Sequence, residues 1–291
     1  MAIHTSFADF GRGRARYHCM DSAGPQLHFA HANGLPFATY RTFLELFADT
    51  YTVCGMDNRG AWPAQPAPRR GYDWYDHADD LVAFLEQQYD EPVIAIGHSI
   101  GGSVSLFAAE RRPELFRALV LIDPATSPNK LLDWLLRLTP RMIGGRIQII
   151  RKTRERRRHW ESRDEFIAHH RTRRAFRDFT EEALRDYADG GLEDSPDGRL
   201  KLVFDPAWEA YNFLTTPYIW DALSTISVPT LLLSAEHTYL HDRTVLLHHA
   251  KRFADSVEYQ ILEGLHHLAP QQDPAAVASI VTSWLSSRGT R

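Results

Sequence analysis

The chain has 291 residues, enough for one large α/β domain or a core carrying a single insert. Its 37 acidic and 33 basic side chains give a formal net charge of −4, so the overall charge gives no reason to expect nucleic acid as a partner. Hydrophobic residues at 44% and charged residues at 24% fit a globular protein, and no run approaches the roughly 20 apolar residues that span a bilayer.

The N-terminal residues Met1-Ala2-Ile3-His4-Thr5 lack the apolar stretch of a signal peptide. Cys19 and Cys54 are the only cysteines, and both lie in apolar surroundings. A disulfide framework is therefore not expected, and a reducing, cytoplasmic compartment fits.

Along the chain, Leu27-His28-Phe29-Ala30, Thr52-Val53-Cys54-Gly55-Met56 and Val93-Ile94-Ala95-Ile96 read as buried strands. Ala118 to Ile122, Thr230 to Leu233 and Val257 to Leu262 continue the series. Several are almost wholly apolar, as expected of parallel strands covered on both faces. Between them lie helical patterns such as Tyr75 to Tyr89, with Leu81, Phe84 and Leu85 on one face, and a final helix opened by Asp273-Pro274. Strand and helix alternating in this way predict a mostly parallel, doubly wound α/β sheet.

The alternation stops after Asp123-Pro124. Residues 126–225 contain little strand-like sequence and much helical sequence, including a capping box at Ser162-Arg163-Asp164-Glu165 and a helix opened by Asp205-Pro206. The chain therefore divides into a core of residues 1–125 and 226–291 and an inserted helical cap, or lid, of residues 126–225. Open parallel sheets bind ligands at the carboxyl ends of their strands, where such an insert would exclude water.

Gly97-His98-Ser99-Ile100-Gly101-Gly102 stands between the strand Val93–Ile96 and a helical run. In this G-x-S-x-G setting the serine occupies a tight strand-to-helix turn that forces small neighbours and projects the hydroxyl beyond the sheet. A serine hydroxyl is a poor nucleophile until a base takes its proton. Of the 15 histidines, His266 and His267 lie in the loop after the last predicted strand, facing the same sheet edge.

Taken together, these motifs resemble the α/β-hydrolase fold family, in its serine-nucleophile branch with a helical cap. The resemblance runs through His31-Ala32-Asn33-Gly34-Leu35-Pro36, Asp57-Asn58-Arg59-Gly60, the elbow, Leu121-Ile122-Asp123-Pro124 and the His267 loop. It implies Ser99 as nucleophile and His267 as base, because His267 precedes the proline of the last helix by the family's seven residues. The backbone amide of Ile100 is one implied oxyanion donor and that of Asn33 the other; an extra residue in the His31–Gly34 turn leaves Gly34 and Leu35 as alternatives.

The family commonly keeps its third residue, an aspartate, beyond the strand Thr230–Leu233, where this chain has Thr238. Asp123, Glu236 and Asp242 are the substitutes. An orienting carboxylate must be held firmly, which favours Asp123 at a strand end over an acid in a loop. The implied reaction is cleavage of a carboxylic ester or related acyl compound through an acyl-enzyme, with no metal or organic cofactor required. Hydrolysis of a carbon–carbon bond in a diketone-type substrate is the alternative, and a ligand-binding protein with weak turnover is a second.

Partners are expected to be small acyl molecules of apolar or aromatic character, given the many cap aromatics, and neither nucleic acid nor a membrane. Arg151 to Arg158 carries six basic residues against one acid. It reads as a solvated cap helix partly balanced by Glu155, Glu161, Asp164 and Glu165, with a polyanionic substrate as the other reading.

Overall fold

A computed structural model describes residues 1–68, 71–131, 133–134 and 147–289. Eleven strands occur among them: β1 (Ile3–Asp9), β2 (Arg14–Met20), β3 (Gln26–Ala30), β4 (Thr52–Met56), β5 (Val93–His98), β6 (Phe116–Ile122), β7 (His159–Trp160), β8 (Leu192–Asp194), β9 (Leu200–Leu202), β10 (Thr230–His237) and β11 (Val257–His266). Eight of them form one sheet in the order β1-β2-β4-β3-β5-β6-β10-β11. Every pair from β4 to β11 is parallel, while β1–β2 and β2–β4 are antiparallel.

The near-continuous apolar runs find their reason in two cores. On one face Phe29, Phe43, Ile96 and Val120 pack with Val281 and Leu285 of the helix Pro274–Ser287. On the other, Leu119 and Leu121 meet Phe84 and Leu85 of the helix Trp74–Gln88 and Phe107 of the helix Ile100–Arg111. Burying each such side chain contributes roughly 1.5–3 kcal/mol, so the strand ends are held from both sides. The chain reverses its direction across the sheet between β3 and β5, and ligands gather beyond the carboxyl ends of strands at such a point.

Between β6 and β10 the chain leaves the sheet. It forms the helices Gln148–Arg154, Arg163–Arg171, Glu181–Gly191 and Pro206–Leu214. It also forms a three-stranded antiparallel sheet, β7-β9-β8, where little strand was expected. These strands are two or three residues long, too short to show an alternating pattern. Half of the expected capping box is present: Ser162 accepts the Glu165 N–H at 3.1 Å. The Glu165 carboxylate instead accepts the Glu161 N–H at 2.9 Å and binds Arg157.

The cysteines depart from expectation. Cys19 on β2 lies opposite Cys54 on β4, and the two are joined as a disulfide across 35 residues of sequence. Only the antiparallel register reveals that pairing, and cysteines joined in this way do not point to a reducing compartment. Among the described residues no helix is long and apolar enough to cross a membrane.

Candidate active site

Ser99 follows β5 directly and has φ 54° and ψ −119°, a strained conformation for a residue with a side chain. Close packing explains the glycines around it. A Cβ on Gly101 would stand 2.0 Å from the Ala30 carbonyl oxygen, and one on Gly97 would stand 2.5 Å from that of Gly101. The Ser99 N–H donates to the Ile122 carbonyl at 3.0 Å, tying the elbow to the end of β6.

His267 comes from the loop after β11 and is buried against Ser99. Its Nδ1 lies 2.6 Å from Asp123 Oδ2 and its Nε2 lies 3.0 Å from Ser99 Oγ. A carboxylate only accepts, so the Nδ1–H donates to Asp123 and the Nε2 lone pair faces the serine hydroxyl. Asp123 is wholly buried at the end of β6, where its Oδ1 accepts the Ala235 N–H at 3.0 Å. Burial pushes its carboxyl up, but hydrogen bonds from His267 and Thr238, with the nearby imidazole charges, hold it below its ordinary value. Thr238, which stands where an acid was expected, thus supports the acid that sits elsewhere.

Glu236 and Asp242 are not brought to His267. Glu236 accepts the Gly264 N–H at 2.7 Å, and Asp242 caps the helix Arg243–Ala250 by accepting the Val245 N–H at 2.9 Å. His266 points elsewhere as well, with its Nε2 3.8 Å from Asp178.

In the turn after β3 the Leu35 N–H donates to the Ala32 carbonyl at 3.2 Å, which removes it as a free donor. The Asn33 side chain is clamped to the helix Pro206–Leu214: its amide donates to the Glu209 carbonyl at 2.8 Å and its oxygen accepts from Asn212 at 2.9 Å. The backbone N–H of Ile100 opens the helix after the elbow, a position with no intrahelical partner.

Two residues with no role assigned from sequence join these loops. His98 Nε2 lies 2.8 Å from the His267 carbonyl and His98 Nδ1 lies 2.7 Å from the Tyr40 hydroxyl. The carbonyl can only accept, so His98 donates from Nε2 and accepts the Tyr40 O–H at Nδ1. The Tyr40 oxygen in turn accepts the Ala32 N–H at 3.2 Å. Burial lowers the His98 pKa to about 3, with the charge of His267 acting the same way, so the ring is neutral in this chain of bonds. A histidine at the end of an apolar strand was a visible signal; Tyr40 had none.

The basic run splits. Arg157 makes a two-pronged pair with Glu165 at 2.6 and 3.0 Å, and Arg158 reaches Asp205 at 3.2 Å. Arg156 turns inward, donating to Glu209 at 2.6 Å and to the Tyr187 hydroxyl at 2.8 Å. Beside His267 a cavity of about 430 Å3 opens, walled by Tyr239, Leu268, Phe179, Arg174, Arg177 and Asp178. Among the described residues no group of three His, Cys, Asp or Glu side chains could hold a metal ion.

A doubly wound sheet with a serine on the elbow after its central strand defines an α/β hydrolase. The chain belongs to the alpha/beta hydrolase family, whose model matches residues 29–280. It is 31% identical over 101 residues to the 2-(acetamidomethylene)succinate hydrolase of Mesorhizobium japonicum, covering 35% of this chain and 36% of that protein. It is 49% identical over 47 residues to lipase LipV of Mycobacterium tuberculosis, covering 16% of this chain and 18% of that protein. The matches therefore span about a third or less of these two relatives. A crystal structure of E-2-(acetamidomethylene)succinate hydrolase superimposes with a TM-score of 0.81 at 20% identity, covering 98% of this chain and all of that one, a likeness of fold.

Proposed function

We propose that the protein is a serine hydrolase cleaving a carboxylic ester or related acyl compound. The observation that carries this reading is the continuous chain from Ser99 Oγ through His267 to Asp123, with separations of 3.0 and 2.6 Å. In this reading His267 Nε2 takes the Ser99 proton as Oγ bonds to the acyl carbon, and the carbonyl oxygen becomes an oxyanion. The amides of Ile100 and Asn33 stabilise that charge. Collapse expels the alcohol, which receives its proton from His267. A water then loses a proton to His267 and attacks the acyl carbon, releasing the acid and restoring Ser99.

Asp123 holds the imidazole in the tautomer that this sequence needs and balances the imidazolium that forms. Residues 126–225 act as the cap, with the clamp on Asn33 joining cap to oxyanion turn. The named activities of the relatives, a lipase and a hydrolase of a small amide-bearing acid, agree in class with acyl transfer to water. The reading is tested by turnover of a p-nitrophenyl ester panel beside a vinylogous diketone. Ester turnover that is lost in Ser99→Ala supports it; turnover of the diketone alone would assign the carbon–carbon reaction instead.

A further inference from the structure

The wall of the cavity beside His267 carries information about the substrate, and its use here rests on the reading of Ser99 and His267 as acyl-transfer groups. Its volume of about 430 Å3 is typical of small-molecule sites. Phe179, Leu268 and Tyr239 supply apolar surface, and the turn after the helix Arg163–Arg171 supplies Arg174 and Arg177. Both arginines are exposed. Arg177 has Asp178 at 3.4 Å, whereas Arg174 forms no ion pair among the described residues. Asp178 also lies 3.8 Å from His266 Nε2. The wall thus carries two guanidinium groups against one carboxylate, a surplus of positive charge beside the imidazole of His267.

We propose that the cavity takes acyl compounds bearing a second, free carboxylate, bound by Arg174 and Arg177 while Phe179, Tyr239 and Leu268 flank the carbon stem. A planar guanidinium matches the two oxygens of a carboxylate, and the surplus charge draws anionic substrates to the mouth. Because the arginines are exposed, added salt weakens the effect.

The test uses mono(4-nitrophenyl) succinate and its neutral methyl ester. Calorimetric binding to the Ser99→Ala protein separates anion recognition from turnover. The anionic ester is expected to bind at least about tenfold more tightly than the neutral one. Arg174→Gln combined with Arg177→Gln is expected to remove that preference and leave neutral-ester affinity unchanged. Arg151→Gln with Lys152→Gln, on the same insert but outside the cavity wall, is expected to retain the preference. Equal affinity for the two esters overturns the proposal, as does loss of the preference in the Arg151/Lys152 variant. Absence of ester turnover by the unaltered protein would instead count against the hydrolase reading.

Discussion

The two halves of the site are built by different means. Ser99, Asp123 and His267 stand at the ends of β5 and β6 and just beyond β11, fixed by backbone hydrogen bonds and by apolar layers on both sheet faces. Residues 126–225 join the core through apolar side chains, Trp160, Phe166 and Tyr187 clustering with Phe37 and Tyr40, and through side-chain and loop hydrogen bonds: Asn33 with Glu209 and Asn212, the Thr42 N–H with Asp186 at 2.7 Å, and the Asp205 N–H with the Gly60 carbonyl at 2.7 Å. Packed strand ends suit groups that must keep their positions within a fraction of an ångström. Polar side-chain contacts can be exchanged without disturbing the sheet, so in the proposed function chemistry falls to the first region and selectivity to the second.

The largest effect that would break this division comes from the acid. Asp123→Asn is expected to lower kcat by about 10³–10⁴-fold, with Glu236→Gln and Asp242→Asn near the unaltered rate. Adding Thr238→Asp to Asp123→Asn is expected to restore part of the loss, because Thr238 already reaches the same spot. Steady-state kinetics of the four variants decide it, and full activity in Asp123→Asn would reassign the acid.

A smaller effect is expected from Tyr40→Phe. It leaves the Ala32 N–H and His98 Nδ1 without their partner, which costs about 1–3 kcal/mol of stability. It also loosens two site loops together, so kcat should fall about tenfold with KM little changed. An unaltered kcat in a destabilised protein would make the relay purely structural.

Stability at mild acidity sharpens the contrast further. Burial lowers the pKa of His28 to about 3, of His77 to about 4 and of His98 to about 3. These rings stay neutral in the folded core, while the unfolded chain takes up protons below about pH 6.5. The unfolded state therefore binds more protons between pH 6.5 and the folded values, and stability falls as pH drops through that window. Urea unfolding at pH 7 and pH 5 is expected to show the loss, and His28→Leu to reduce its slope. A pH-independent midpoint would mean that these histidines are not buried as described.

The smallest effect is expected in the insert of residues 126–225. Glu209→Gln leaves Arg156 without its counter-charge and is expected to cost about 1–3 kcal/mol, with kcat changed less than by either core variant. Thermal unfolding and kinetics of that variant check it.

Legibility from sequence follows the same division. The elbow was readable because tight packing admits only glycine at positions 97 and 101, and β5 and β6 because burial on both faces demands unbroken apolar runs. β1 was missed because residues 4–7 of this two-stranded margin are exposed and mostly polar. The Cys19–Cys54 pairing, the relay through Tyr40 and the inward turn of Arg156 depend on contacts between residues distant in the chain, which no local pattern encodes.

The central claim is that Ser99 is an activated nucleophile, and intact-mass analysis after treatment with a fluorophosphonate measures this most directly. One adduct is expected, mapping to Ser99 on peptide analysis, absent in Ser99→Ala and strongly slowed in Asp123→Asn. An unmodified protein, or an adduct on another residue, would contradict the account.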